Sequence, residues 1–161
     1  ELKGEKGKKE TKTSMGSKVI SNRYIPEGYN LSEDIKIELH NKIASIESHE
    51  DLDNLKVEIM DRFGSLDEDL LLYMYEKLFY SLCKKASIEK LDIKPKIITM
   101  TMSQEASDNI DGVFVYKTAY SLSNNFLLSY HDKRINIAFK TDTYLNNSWL
   151  PIMCEYLSKI V

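Results

Sequence analysis

The stretch that decides the fold class is residues 48–64, which read SHEDLDNLKVEIMDRFG. Its large apolar residues recur at spacings of three and four, the period of one face of an α-helix: Leu52, Leu55, Ile59 and Phe63. The Ser48 hydroxyl is placed to cap the first turn, with Asp51 reaching back, and Gly64 supplies the left-handed residue that ends a helix. The stretch therefore predicts an amphipathic helix with both of its ends marked.

The segments on either side of this stretch predict two further helices. Upstream, one apolar stripe is formed by Ile35, Leu39, Ile43 and Ile46, and Asn30 or Ser32 is placed to cap its start. Downstream, a helix from a capping box at 65–68 to about Ala86 is apolar on more than one face, which predicts a central helix contacted on two sides. Before all three, residues 19–25 predict a short strand that Pro26 ends.

The second half of the chain changes to the period of β-strands. Ile98, Met100 and Met102 alternate with threonines, which predicts a strand. Two more alternating runs lie on either side of residues 131–134 and predict a β-hairpin.

Two segments complete the expected elements. Residues 107–121 fit either a strand or a helix, and we favour the helix. The last helix is amphipathic and begins near Trp149, with Pro151 in its first turn and Asn147 or Ser148 as its cap. Helices followed by strands, without βαβ alternation, predict an α+β fold: an N-terminal strand, a three-helix segment, and an antiparallel sheet with a C-terminal amphipathic helix.

Composition places the chain among ordinary globular proteins. It has 161 residues, of which 42% are hydrophobic and 29% charged, enough for one domain with one core. No run of 18 uncharged apolar residues occurs and the first residues are charged, so neither a membrane span nor a secretory signal is predicted. Cys83 and Cys154 form no C-x-x-C motif and lie in apolar stretches, which indicates reduced core cysteines and a cytoplasmic location.

Domain boundaries follow from a shift in composition near the start. Residues 1–17 are rich in Lys, Gly, Glu, Thr and Ser, which predicts a flexible linker, with a nucleic-acid-binding arm as the alternative. Residues 18–161 are expected to form a single domain. The start at Glu1 rather than Met indicates a piece of a longer protein.

Charge is distributed unevenly along the chain. Residues 27–69 contain thirteen Asp and Glu against four Lys and Arg, a net charge of −9, whereas the whole chain carries −3. Such a block repels a phosphate backbone and suits a basic protein partner. Solvated acidic helix faces without a partner are the alternative.

Motifs of catalysis are missing from the sequence. It contains no phosphate-binding loop, dinucleotide fingerprint, zinc-protease motif or nucleophile elbow. His40, His49 and His131 are far apart at polar positions and are interpreted as surface residues. Glu58 and Asp61, three residues apart, share a helix face, but two carboxylates alone make a weak cation site. We expect no catalytic residue, no cofactor and no metal.

Two segments resemble a known family. Residues 24–29, Tyr-Ile-Pro-Glu-Gly-Tyr, and the helix that follows from Asp34 resemble the pattern Y-I-P-x-x-Y … R-L-x-x-Y-K-R-L-A. Residues 52–64 resemble E-L-x-x-L-x-x-E-L-x-D-R-F-G. Both patterns mark the C-terminal domain of bacterial transcription-repair coupling factors (Mfd), and residues 1–5 are similar to the end of the translocase module upstream of it. Lys36, His40 and Ser65 depart from the family pattern, which indicates a divergent member.

The resemblance implies a regulatory function rather than a reaction. Family members are ATP-driven DNA translocases that remove stalled RNA polymerase and recruit nucleotide excision repair through UvrA. Their C-terminal domain folds back on the UvrB-like module of the same polypeptide and masks its UvrA-binding surface. The matching partner-binding residues here are Glu58, Asp61 and Arg62, and a local clamp between helices is the alternative for Arg62. Phe63 and Gly64 are expected to serve packing and helix termination, and no membrane contact is implied.

A second hypothesis comes from the basic residues. The Lys-rich start and the groups Lys84-Lys85 and Lys94/Lys96 form candidate patches for a nucleic-acid-contacting accessory domain. The acidic block at 27–69 argues against a broad nucleic-acid footprint but leaves a local patch possible.

Overall fold

The computed structural model of the chain describes residues 20, 21, 23 and 25–161. The linker predicted at 1–17 lies outside these residues. Within them the chain forms six α-helices and one four-stranded antiparallel sheet, so the predicted α+β class is confirmed.

The elements follow in this order along the chain. Three helices come first: α1 (Glu33–Ala44), α2 (His49–Phe63) and α3 (Glu68–Lys85). The sheet and its helices come next: β1 (Ile88–Ile93), β2 (Ile97–Met102), α4 (Gln104–Asn109), α5 (Gly112–Leu122), β3 (Phe126–His131) and β4 (Arg134–Lys140). The last helix is α6 (Leu150–Ile160), and short 3-10 turns lie at Glu27–Tyr29 and Leu145–Asn147.

The described residues cluster into two compact units, and the single domain expected over 18–161 stays a prediction. Residues up to Cys83, with Tyr144–Lys159 and Val161, form the helical unit. Lys84–Thr143 and Ile160 form the sheet unit.

Helix α3 has more buried residues than any other helix of the helical unit. Residues 78–83 are six consecutive buried residues, so the helix is covered on all sides there. The predicted central position of this helix is confirmed. Cys83 and Cys154 are both buried and free, and burial raises the pKa of each thiol, which keeps both uncharged.

The caps of the first two helices lie where the sequence predicts them. The Ser32 hydroxyl accepts from the Ile35 N–H at 3.4 Å, and the Ser48 hydroxyl accepts from the Asp51 N–H at 3.1 Å. Gly64 ends α2 with φ of 82°, a left-handed conformation that glycine adopts without strain.

The cap predicted for α3 was wrong. Asp67, rather than Ser65, caps this helix: its carboxylate accepts from the N–H groups of Asp69 at 2.8 Å and Leu70 at 3.1 Å. Asp67 immediately precedes the first helical residue, the position from which a side-chain oxygen reaches those two groups.

The strand predicted at 19–25 is absent from the described residues of that segment. The N–H groups of Ile20 and Ser21 donate to the Glu76 carboxylate at 3.1 and 2.9 Å, and the Ile20 carbonyl accepts from Asn147 Nδ2 at 2.9 Å. These backbone groups are satisfied by side chains of α3 and of the turn before α6, so none of them pairs in a ladder.

The sheet unit contains the predicted hairpin. Its strand order is β1-β2-β4-β3, and β3 and β4 are joined by a two-residue loop in which Asp132 and Lys133 have φ of 55° and 63°. The helix favoured over 107–121 is confirmed as the end of α4 and α5. Strand β1 was not predicted; it pairs with β2 through a register irregularity between Ile88 and Lys90.

The two faces of the sheet differ in burial. On one face the central residues are buried: Ile98, Met100, Met102, Phe126, Ile135, Ile137 and Phe139. The opposite face, which we call the open face, has no buried residue. By the pairing register it carries Lys90, Asp92, Ile97, Thr99, Thr101, Leu127, Ser129, His131, Arg134, Asn136, Ala138 and Lys140.

Helix α6 has Pro151 in its first turn, as predicted, but neither Asn147 nor Ser148 caps it. Trp149 occupies the capping position without a side-chain bond and is 3% exposed. The side-chain amide of Asn147 instead donates a hydrogen bond to the Ile20 carbonyl. Among the residues that the structure describes, no helix has the length and apolar character to cross a membrane.

Candidate functional site

The two sequence motifs come together at the end of α2. The ring of Tyr29 lies 5.4 Å from the ring of Phe63, and its hydroxyl donates to the Ser65 carbonyl at 2.9 Å. The same hydroxyl accepts from the Asp67 N–H at 2.9 Å. Tyr29 therefore ties the first motif to the turn between α2 and α3, beside a shallow groove of about 290 Å³.

Replacing Tyr29 with phenylalanine is expected to lower the free energy of unfolding by about 1–2 kcal/mol, because two hydrogen bonds are lost while the ring remains. Urea denaturation measures this loss. The matched control is Tyr130→Phe, since Tyr130 is 63% exposed and its hydroxyl has no bonding partner among the described residues. An equal loss of unfolding free energy in the two variants would contradict the stabilising role assigned to the Tyr29 hydroxyl.

Four charged residues form an ion-pair cluster between α1 and α2, which we call the clamp. Arg62 Nη1 donates to Glu38 Oε2 and to Glu58 Oε2, each at 2.9 Å. Lys42 Nζ donates to the same Glu58 oxygen at 2.7 Å. Glu58 and Arg62 are thus paired locally across two helices, the arrangement that the sequence left open for Arg62.

Hydrogen bonding shifts the pKa values of the clamp toward the charged forms. The bond from Arg62 lowers the pKa of Glu38. The bond from Lys42, helped by Arg62 and opposed by burial, lowers the pKa of Glu58. The bonds to the carboxylates raise the pKa values of Lys42 and Arg62 in return. The clamp holds two charges of each sign and is electrically balanced.

Asp61 stands outside the clamp. It is exposed, and among the described residues it makes no ion pair or side-chain hydrogen bond. Helical spacing places it beside Val57, which is 60% exposed, and near Met60, which is 47% exposed. We call Val57, Met60 and Asp61 the α2 outer face. Sequence reasoning missed the two apolar members, although both lie off the core stripe of α2.

Phe63 and Gly64 serve packing and termination, as their residue types indicate. Phe63 is half-buried between the Tyr29 ring and the Arg62 guanidinium, whose carbon lies 5.1 Å from the ring centre. This stacking orients the Arg62 side chain and so supports the clamp.

The histidines do not gather into a site. His40 Nδ1 lies 2.7 Å from the Tyr73 hydroxyl and His49 Nδ1 lies 2.7 Å from Ser158 Oγ. Both are half-buried rather than free surface groups as predicted, because each ring fills a position beside another helix; His131 is exposed. In the described part of the chain, no group of three or more His, Cys, Asp or Glu residues is arranged to hold a metal ion.

Comparison with known proteins identifies the family. The TRCF domain model matches residues 20–113, more than half of the chain. The transcription-repair-coupling factor of Staphylococcus haemolyticus is 26% identical over 141 residues, covering 86% of this chain. That of Bacillus subtilis is 26% identical over 129 residues, covering 79%. The chain spans only 12% and 11% of the length of these two relatives.

A solved structure shares the fold. The crystal structure of a C-terminal domain of transcription-repair coupling factor aligns with a TM-score of 0.68 at 21% identity and covers 89% of each chain. Taken with the family match over residues 20–113, this leads to one conclusion: the chain belongs to the TRCF domain family, the C-terminal domain of transcription-repair coupling factors.

Proposed function

We propose that this domain is a non-catalytic regulatory module that contacts the UvrB-like module of the same, longer polypeptide and masks its UvrA-binding surface. The parent protein is proposed to be an ATP-dependent DNA translocase that acts on stalled RNA polymerase in the bacterial cytoplasm. UvrA and RNA polymerase are then indirect partners, reached through the parent, and the translocase of the parent acts on DNA. Family membership supports this proposal, together with the small share of each relative that the chain spans.

The observation that carries the proposal is the α2 outer face. An exposed carboxylate without a partner among the described residues lies next to two exposed apolar side chains, Val57 and Met60. This combination suits a protein surface that presents a basic group beside an apolar recess. The net charge of −9 over residues 27–69 would also attract a basic module.

Glu58 and Arg62 take part in the proposed contact in a different way from Asp61. The two bonds of Glu58 both end on Oε2, so among the described residues Oε1 has no hydrogen-bond donor. A partner arginine can engage Oε1 without opening the clamp. Arg62 holds Glu58 in place and is a positioning residue for it.

The test is charge reversal at Asp61 in the full-length parent. Asp61→Lys leaves the clamp intact and is expected to raise UvrA capture at least tenfold, because reversing one charge of a desolvated pair costs several kcal/mol. Pull-down of UvrA measures the effect, and thermal unfolding of each variant monitors the fold. The matched control is Glu155→Lys, which reverses an exposed charge on α6.

Unchanged UvrA capture by Asp61→Lys, with unchanged stability, would contradict the proposal. The double variant Glu58→Ala/Asp61→Ala is less selective, because removing Glu58 takes an acceptor from both Lys42 and Arg62. It is expected to release the contact and also to lose measurable stability, so the single Asp61 variant decides the assignment.

A further inference from the structure

The open face of the sheet is mostly polar. Its central positions are Thr99, Thr101, Asn136 and Ala138, none of which is buried. Thr101 Oγ1 and Asn136 Oδ1 are hydrogen-bonded across the strands at 2.9 Å. Thr101 is the donor in that bond, and Asn136 Nδ2 donates to the Arg134 carbonyl at 3.2 Å. The Thr99 hydroxyl and the second N–H of Asn136 remain to donate to the oxygens of a ligand laid across the strands.

Basic side chains without acidic partners surround this face. Lys90 and Lys140 lie on it, Lys96 immediately precedes β2, and Lys133 is in the hairpin loop. Among the residues that the structure describes, none of these four lysines forms an ion pair or a side-chain hydrogen bond. All four are exposed.

Two acidic residues at this face are paired with basic neighbours. Asp92 Oδ2 lies 3.6 Å from Lys94 Nζ, and Glu89 accepts from Arg134 Nε at 2.5 Å. Asp132 lies 3.4 Å from His131 Nε2, and a neutral imidazole does not balance the charge of this carboxylate. Within the sheet unit, residues 84–143 contain nine Lys and Arg against seven Asp and Glu. The four lysines therefore leave an excess of positive charge at the open face.

The placement of the lysines suits a ligand of repeating negative charge. Lys90 and Lys140 are separated by four residues along the strands and two strand spacings across them, or about 13 Å by about 10 Å. A diagonal of about 16 Å covers about nine phosphates of a DNA duplex, which carries one charge per roughly 1.7 Å. Several lysines can then reach different phosphates of one duplex.

We propose that the open sheet face binds the phosphate backbone of duplex DNA, without reading its sequence, through Lys90, Lys96, Lys133 and Lys140. A single-stranded ligand is disfavoured because the face carries no Phe, Tyr or Trp on which bases could stack. This inference does not rest on the fold-back proposed for the α2 outer face.

The test is a salt titration of a short fluorescent DNA duplex with the purified chain, followed by anisotropy. Each phosphate contact contributes about −0.9 to the slope of log K against log salt, so we expect a slope of about −3 to −4 from this face. The variant Lys90→Ala/Lys140→Ala is expected to bind more weakly and to reduce the magnitude of the slope by about 2.

The matched control is Lys117→Ala/Lys159→Ala, which removes the same charge from exposed positions on α5 and α6. It is expected to leave the slope nearly unchanged. The lysines of residues 1–18 are present in every variant, so a difference between the two pairs reports on the sheet face. Circular dichroism checks that each variant is folded.

Three outcomes would overturn the inference: no duplex binding at about 50 mM salt, where backbone contacts are strong; an equal loss in both double variants; and competition by poly-glutamate as effective as by unlabelled duplex. The last outcome would assign the face to an acidic peptide partner instead.

Discussion

Replacing Glu76 with alanine is expected to lower the free energy of unfolding by about 2–4 kcal/mol, because buried donors lose their acceptor. Glu76 is 1% exposed. Its carboxylate accepts from Ser21 Oγ at 2.6 Å and from Arg23 Nε at 2.8 Å, besides the two backbone N–H groups of residues 20 and 21. One side chain thus holds the whole described part of the segment before Ile25.

We call the Glu76 carboxylate and its donors in residues 20, 21 and 23 the anchor. Two variants separate the contributions to the anchor. Glu76→Gln keeps the shape of the side chain and one acceptor oxygen, so it is expected to lower the free energy of unfolding less than Glu76→Ala does. Arg23→Ala leaves the backbone donors in place but removes the cation beside a buried carboxylate. Because Arg23 itself is about a third exposed, at 34%, this variant is expected to lose less stability than Glu76→Ala. Urea denaturation gives the free energies. A loss below about 1 kcal/mol for Glu76→Ala would show that the anchor contributes little.

The pH dependence of this anchor follows from the pKa of Glu76. Burial raises this pKa, but the bonds from Arg23, Ser21 and Ile20 outweigh burial and hold it below its ordinary value of 4.5. A carboxylate with a depressed folded pKa stabilises the fold above its unfolded pKa, and this contribution is lost as pH falls through the folded value. The stability difference between the wild type and Glu76→Gln is therefore expected to narrow below pH 4.5.

Replacing Phe79 with alanine is expected to cost about 3–5 kcal/mol, the usual cost of deleting a fully buried aromatic ring. Phe79 is 0% exposed, and its ring lies nearly perpendicular to the Trp149 ring, with 5.7 Å between centroids. The ring also lies 5.4 Å from Tyr80. The expected loss is the sum of two costs. One is the hydrophobic transfer free energy of the ring, and the other is the cavity that its removal leaves between α3 and the start of α6.

Two controls test this assignment. Phe79→Leu keeps most of the volume and is expected to cost about 1–2 kcal/mol. Phe114→Ala makes the same change at a ring that is 46% exposed on α5, and is expected to cost clearly less than Phe79→Ala. Similar losses at Phe79 and Phe114, measured by urea denaturation, would contradict the assignment of Phe79 to the buried core.

Much of the candidate site could be predicted from the sequence because it depends on one helix. Helical spacing places Glu58 near Arg62 and leaves Asp61 off the core stripe, and both relations hold in the structure. The pairing with Glu38 and Lys42 could not be predicted. These residues come from another helix, and local periodicity says nothing of which side of α1 faces α2.

Sequence patterns were sufficient to predict the elements whose deciding interactions join residues close together in the chain. The sequence determined α1 and α2 with Ser32, Ser48 and Gly64 at their ends, because caps and apolar stripes act between neighbouring residues. The β3–β4 hairpin belongs to the same class, since a two-residue loop joins its strands.

Tertiary structure decided the elements whose partners are distant in sequence. Strand β1 is exposed at three of its six positions and is a strand because β2 offers it an edge. Ile20 and Ser21 have apolar and small side chains that fit a strand, yet their N–H groups bind a carboxylate more than fifty residues away. A backbone group takes whichever partner the folded chain brings to it, and a buried carboxylate is a stronger acceptor than the open edge of a sheet.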